Sequence, residues 1–314
     1  MLGRYQGRRA DPSRNGKAIW MISVLALLAL AAAAVFFFRD PEGGVPSASA
    51  SSQPGAGSAS SPDQSVPPEP DVPDEPPAPS YDFSQPVPQA EEVDNSYFAD
   101  AAFVGDSRTD GFLLYSGIGT GENLTSNGLS IFRLADRKAL TIGEERYTLL
   151  EALALKEYGK VYISLGINEL GYNDDNGFYR SYCGAIDEIR RVQPNAVIYI
   201  QGLIPLNEAQ YTAATGRDYL KNDHLRVYND LLRQAAEEKR VVYLDLYSEF
   251  VDENGSLPEE DSRDGVHLKK DACQRWLAYL KTHTVEFDTL YPDGPPPVEP
   301  AEPETTAADG SGQG

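Results

Sequence analysis

Four short stretches of this chain carry side chains suited to acyl transfer. Phe103-Val104-Gly105-Asp106-Ser107 delivers a hydroxyl at the end of an apolar run. A serine in the turn from a strand into a helix holds that hydroxyl exposed, with its own N–H at the helix amino terminus, where developing negative charge is stabilised. Ser126-Asn127-Gly128-Leu129-Ser130 contains a glycine that lets the backbone approach a ligand and offer a second N–H. Gly166-Ile167-Asn168-Glu169 supplies a side-chain amide that can donate to an oxyanion. Asp264-Gly265-Val266-His267 puts a carboxylate and an imidazole three residues apart, near enough to meet within one turn. The carboxylate can hold one ring nitrogen while the other takes a proton from Ser107.

Each stretch alone has a plainer structural reading. Asp106 or Ser107 can cap a helix, Gly128 and Asn168 are ordinary turn residues, and an isolated Asp-x-x-His reads as a cap beside a surface histidine. Their joint occurrence favours chemistry, since together they fill every role of acyl transfer.

The elements that must position them alternate short apolar runs with amphipathic stretches, the pattern of an α/β domain built on a parallel sheet. Strands are expected at 101–104, 161–165, 197–201 and 241–246, with a weaker one at 129–132. Helices are expected at 147–157, 179–192, 219–239 and 269–282. About five strands with helices on both faces make a single three-layer domain over 93–291. In such sheets ligands bind outside the carboxyl ends of the strands, and each reactive stretch falls after a strand or before the last helix.

With these residues on the page, the chain resembles the SGNH hydrolases, the GDSL-type esterases and lipases. That family carries a Ser in a Gly-Asp-Ser turn, a Gly, an Asn in a Gly-x-Asn-Asp run and a late Asp-x-x-His. The resemblance spans about residues 97–290. It implies a flavodoxin-like α/β/α sandwich, with Ser107 as nucleophile, His267 as general base and Asp264 orienting it. It further implies Ser107, Gly128 and Asn168 as oxyanion-hole donors. Two positions depart from the family pattern: Arg108 replaces a common Leu, and Glu169 replaces the Asp after the oxyanion Asn. Both are candidates for the substrate side, Arg108 as a positive charge at the mouth and Glu169 through its hold on Asn168. The implied activity is hydrolysis of short-chain or acetyl O-esters, with cell-envelope glycans as the expected substrate. An O-acyltransferase with the same triad and a non-catalytic surface binding module are the rival readings.

The rest of the chain sets the context. A formal net charge of -21 argues against nucleic acid as a partner and disfavours an anionic membrane surface. With two Cys and three His, no metal site or cofactor is expected. Cys183 and Cys273 are expected as buried thiols. Gly117-Ile118-Gly119-Thr120-Gly121 lacks the last glycine of a dinucleotide fingerprint, and Asn173-Asp174-Asp175-Asn176-Gly177 lacks the acidic ends of a calcium loop.

Residues 18–38 form an uncharged apolar run long enough to span a bilayer, preceded by five Arg and Lys in the basic stretch 1–17. The expectation is one transmembrane helix with the amino terminus in the cytoplasm and the catalytic domain outside. A cleaved signal peptide ending near Ala48-Ser49-Ala50 is the alternative. Residues 39–92 and 292–314, rich in Pro, Ser and acid, are expected to be disordered. Oligomeric state is left open.

Overall fold

The computed structural model describes residues 80–297. The apolar run at 18–38, most of the Pro-rich stretch and the tail from 298 lie outside the described residues. Among the described residues, no helix is long and apolar enough to cross a membrane.

The chain runs β1 (Ala101–Gly105), α1 (Ser107–Tyr115), β2 (Glu122–Thr125), β3 (Leu140–Ile142), β4 (Glu145–Tyr147), α2 (Leu149–Leu153), β5 (Lys160–Ser164) and α3 (Asp175–Val192). It continues through β6 (Val197–Gln201), α4 (Glu208–Thr215), α5 (Asn222–Lys239), β7 (Val242–Leu244), α6 (Leu246–Phe250), α7 (Lys270–Thr282) and α8 (Phe287–Leu290). Five strands form one parallel sheet in the order β2-β1-β5-β6-β7. Counting sheet strands alone this is 2-1-3-4-5, a doubly wound order whose switch point lies between β1 and β5.

Parallel strands covered on both faces must be apolar throughout. β1 and β6, Ala-Ala-Phe-Val-Gly and Val-Ile-Tyr-Ile-Gln, are buried at every position. Alternate side chains divide between two cores. Ala102, Val104, Val161, Ile163, Ile198 and Ile200 meet α2, α3 and α5 on one face. Ala101, Phe103, Tyr162, Val197 and Tyr199 meet α1 and α7 on the other. Phe103, Tyr162 and Tyr199 are cross-strand partners. Their rings stack at 5.1 and 4.5 Å between centroids, a ladder that fixes the register of the three central strands.

The helices follow from their apolar stripes. Leu225, Tyr228, Leu232, Ala235 and Ala236 bury one side of α5, and Ala272, Cys273, Trp276 and Leu280 one side of α7. Asp174 caps α3 by accepting from Gly177 N, while Arg190 and Arg191 occupy its last turn, complementing the helix dipole at both ends.

Several elements differ from the sequence expectations. The fifth sheet strand is Glu122–Thr125, whose polar sequence suits an edge and carries no alternation signal. The expected strand at 129–132 is a turn followed by a short 3-10 helix, Ile131–Arg133, capped by Ser130. The start of the expected helix at 147–157 belongs instead to the β3–β4 hairpin, leaving only Leu149–Leu153 helical behind a Thr148–Glu151 capping box. The helix α4 was not foreseen.

The segment 81–92, assigned by composition to the disordered stretch, is packed against the domain. Phe83 and Val87 are buried, Phe83 stacks on Tyr291, and Val87 N donates to Tyr243 O on the outer strand β7. Phe83, Val87 and the partly buried Tyr81, with Ala90 N donating to Thr282 O and Glu92 paired with Lys281, dock it and cover that edge. Cys183 and Cys273 are free, buried, and assigned to the two different cores, so the sheet separates them.

Candidate active site

Ser107 is the first residue of α1, directly after β1. Asp106 caps the helix through Oδ1, which accepts Arg108 N at 2.9 Å. Asp106 therefore meets the capping reading of this turn, and the Ser107 side chain takes no part in the cap. Ser107 Oγ lies 3.0 Å from His267 Nε2, and His267 Nδ1 lies 2.8 Å from Asp264 Oδ2. The other oxygen of Asp264 accepts the backbone N–H groups of His267 and Val266, at 2.8 and 3.1 Å. Partial burial would raise the Asp264 pKa, but the backbone and ring hydrogen bonds from His267 outweigh it and hold the carboxyl below its ordinary value.

The loop that carries this pair is closed on itself. Arg263 N donates to His267 O, Gly265 N donates to Ser262 Oγ, and Ser262 bridges Leu268. Gly265 has φ +85°, and a Cβ there would stand 2.3 Å from Asn207 O and 2.5 Å from Tyr211 N. Only glycine fits the turn between the carboxylate and the imidazole.

Asn168 follows β5, across the switch point from Ser107. Its Nδ2 donates to Asp106 Oδ2 at 3.1 Å and to Leu129 O at 2.9 Å, so the amide ties the nucleophile turn to the Gly128 loop. Gly128 (φ +67°) is exposed in a turn closed by Leu129 N donating to Ser126 O. Its neighbour Asn127 lines a cavity of 280 Å³ together with Ser107 and His267. Among the described residues, the N–H groups of Ser107 and Gly128 have no protein acceptor.

Of the two departures from the family pattern, Arg108 lines the Ser107 cavity and Glu169 is absent from its lining. Arg108 is 6% exposed, and its guanidinium donates inward to Ile204 O and Pro205 O at 2.9 and 3.4 Å. Burial lowers its pKa to about 10 against the opposing pull of Asp106, so the charge persists, with the guanidinium donors turned into the fold. Glu169 is fully buried and so does not face substrate. Its Oε1 accepts Ile131 N, its backbone carbonyl accepts from Tyr228 Oη, and its Oε2 has no partner among the described residues. Asn168 and Glu169 therefore clasp residues 129 and 131 at two adjacent points. Burial pushes the Glu169 carboxyl up to about 7.

Asp106, which the sequence offers only as a helix cap, is also a buried group that accepts from Asn168. Burial raises its pKa to about 6, with the Arg108 N–H and charge pulling the other way. The signal was its place between a buried strand and a helix start, but its bond to Asn168, 62 residues away, had none. Arg263, Asp110 and Asn127 at the cavity rim were likewise missed.

The profile of the GDSL-like Lipase/Acylhydrolase family matches residues 103–275, more than half of the chain. No curated protein matches the sequence. Among solved structures, a protein from Streptococcus pneumonia named for platelet activating factor is 22% identical, with 63% of this chain and 85% of that one covered and a TM-score of 0.49. A GDSL-like lipase from Bacteroides thetaiotaomicron is 15% identical over 60% of this chain and 91% of that one, with a TM-score of 0.45. A peptidoglycan O-acetylesterase is 18% identical over 51% and 45%, with a TM-score of 0.37. On the family match, which contains the turns of Ser107 and Asn168 and the Asp264–His267 loop, the chain belongs to the GDSL-like lipase/acylhydrolase family and is a hydrolase acting on esters.

Proposed function

We propose that this protein is a serine esterase that cleaves short-chain O-acyl esters through Ser107, His267 and Asp264. The unbroken chain of contacts from Ser107 Oγ through the imidazole to Asp264, at 3.0 and 2.8 Å, carries the reading. Asp264 accepts from Nδ1–H and so leaves Nε2 free to act as a base. As Oγ attacks the acyl carbon, its proton passes to Nε2. The backbone N–H groups of Ser107 and Gly128 receive the carbonyl oxygen as it becomes negative. The imidazolium then protonates the leaving alkoxide, and water, activated by the same base, releases the acyl group from Ser107.

Asn168 takes part on one condition. Both its amide protons are engaged in the resting structure, so donation to an oxyanion requires the bond to Leu129 O or to Asp106 to be shared. A short acyl group is supported by the modest 280 Å³ cavity around Ser107, part of whose wall is Leu114, Tyr115 and Leu268. The apolar run at 18–38 and the basic residues before it support a membrane-anchored enzyme working outside the cell, on esters of envelope glycans.

The test is hydrolysis of 4-nitrophenyl acetate by the parent protein and by Ser107→Ala and His267→Ala. Loss of at least about 10³-fold in kcat for both variants is expected. Turnover that survives in Ser107→Ala would overturn the proposal.

A further inference from the structure

An ester has an acyl half and an alcohol half, and two cavities meet beside Ser107. The smaller holds Ser107 and His267 against the apolar wall of Leu114, Tyr115 and Leu268. The larger, 560 Å³, is a trough between the edge strand β2 and strand β3 of the hairpin. Asp110 and Asn127 line both and so mark the junction. Asp110 lies three residues after Ser107 in the first turn of α1, which puts the two side chains on nearly the same helix face.

The two cavities differ in chemistry. Thr125, Ser126, Asn127 and Thr141 offer hydroxyl and amide groups along the trough, and its lining contains no Lys, Arg or His. Glu122, at one end, is paired with Lys156 at 3.3 Å. Asp110 has no basic partner among the described residues. Its Oδ1 accepts from Asn123 and Thr125, at 3.0 and 3.4 Å, and its Oδ2 and the Asn127 amide have no protein partner among the described residues. Of the exposed cations nearby, Arg263 lines only the smaller cavity, and Arg137 lines neither, its guanidinium donating to Gly128 O at 2.9 Å.

We infer that the trough along β2 is the alcohol-side subsite, that it takes a hydroxyl-rich alcohol without anionic groups, of the class of neutral and amino sugars, and that Asp110 sets this specificity. This rests on the esterase reading of Ser107. Unpaired acceptors and donors at the junction match hydroxyl groups flanking an ester. A lipid alcohol would leave them unpaired at a cost. An acidic sugar or phosphorylated alcohol would bring its charge against the Asp110 carboxylate, and such repulsion is a means of excluding a wrong substrate.

The experiment compares kcat/KM of the full-length protein for three acetyl esters: an acetylated neutral cello-oligosaccharide, an acetylated oligogalacturonate and 4-nitrophenyl acetate. The parent protein is expected to prefer the neutral over the acidic oligosaccharide by about tenfold or more, and Asp110→Asn to remove most of that preference. Thr141→Trp, which fills the trough from the exposed hairpin, is expected to lower the ratio of cello-oligosaccharide to 4-nitrophenyl acetate turnover by about tenfold, through KM. Equal or better use of the acidic ester, or ratios that neither variant moves, overturns the subsite while leaving Ser107-dependent hydrolysis of 4-nitrophenyl acetate intact. If no Ser107-dependent turnover of any ester is found, the esterase reading falls and the subsite with it.

Discussion

Asp264 divides its two oxygens between two tasks: Oδ1 fixes the backbone of its own turn and Oδ2 fixes the His267 ring. Asp264→Asn keeps the size of the group but presents an N–H donor towards Nδ1, turning the imidazole to the wrong tautomer. A loss of kcat on the order of 10⁴-fold with little change in KM is expected from steady-state kinetics. Glu169 and Asp106 affect stability in the opposite sense to most carboxylates. Their folded pKa values, about 7 and about 6, lie above the ordinary values of 4.5 and 3.8, so the folded protein holds extra protons in that window. Stability is therefore full below the ordinary values and falls as pH rises through about 6 and 7. For Glu169 alone the loss is on the order of 3 kcal/mol. Urea unfolding should show the parent less stable at about pH 8 than at about pH 5, and Glu169→Gln should flatten that slope. A slope unchanged by Glu169→Gln would assign it to other groups.

At the scale of elements, the site depends on turns more than on the helices and strands they join. Gly265→Ala forces a Cβ onto the backbone of Asn207 and Tyr211. It should cost about 1–3 kcal/mol and lower kcat more than an equally destabilising core substitution, because the strain falls between Asp264 and His267. Paired measurements of Tm and kcat decide this. The same contrast explains what the sequence disclosed. The four buried strands were legible because β1, β5, β6 and β7 are short apolar runs, and Ser107 and Asn168 were found because they follow β1 and β5. β2 was not legible, since Glu-Asn-Leu-Thr at an edge needs no apolar alternation, and its pairing with β1 comes from the tertiary fold. The inward turn of Arg108 was equally hidden, because its acceptors, Ile204 O and Pro205 O, lie almost a hundred residues away.

For the whole molecule, the domain extends further toward the amino terminus than composition indicated. A chain beginning at residue 94 loses the buried Phe83 and Val87, and should be less stable than one beginning at residue 80 by about 2–4 kcal/mol in urea unfolding. Equal stability would mean that the segment adds nothing. The layered sheet brings residues from three distant parts of the chain to one point outside β1 and β5, and the account depends on what Ser107 does there. The most direct measurement is mass spectrometry of the protein after reaction with a fluorophosphonate. One adduct is predicted, on Ser107, absent from Ser107→Ala and slowed strongly in His267→Ala. No adduct on the folded parent protein, or an adduct on another residue, would contradict the account.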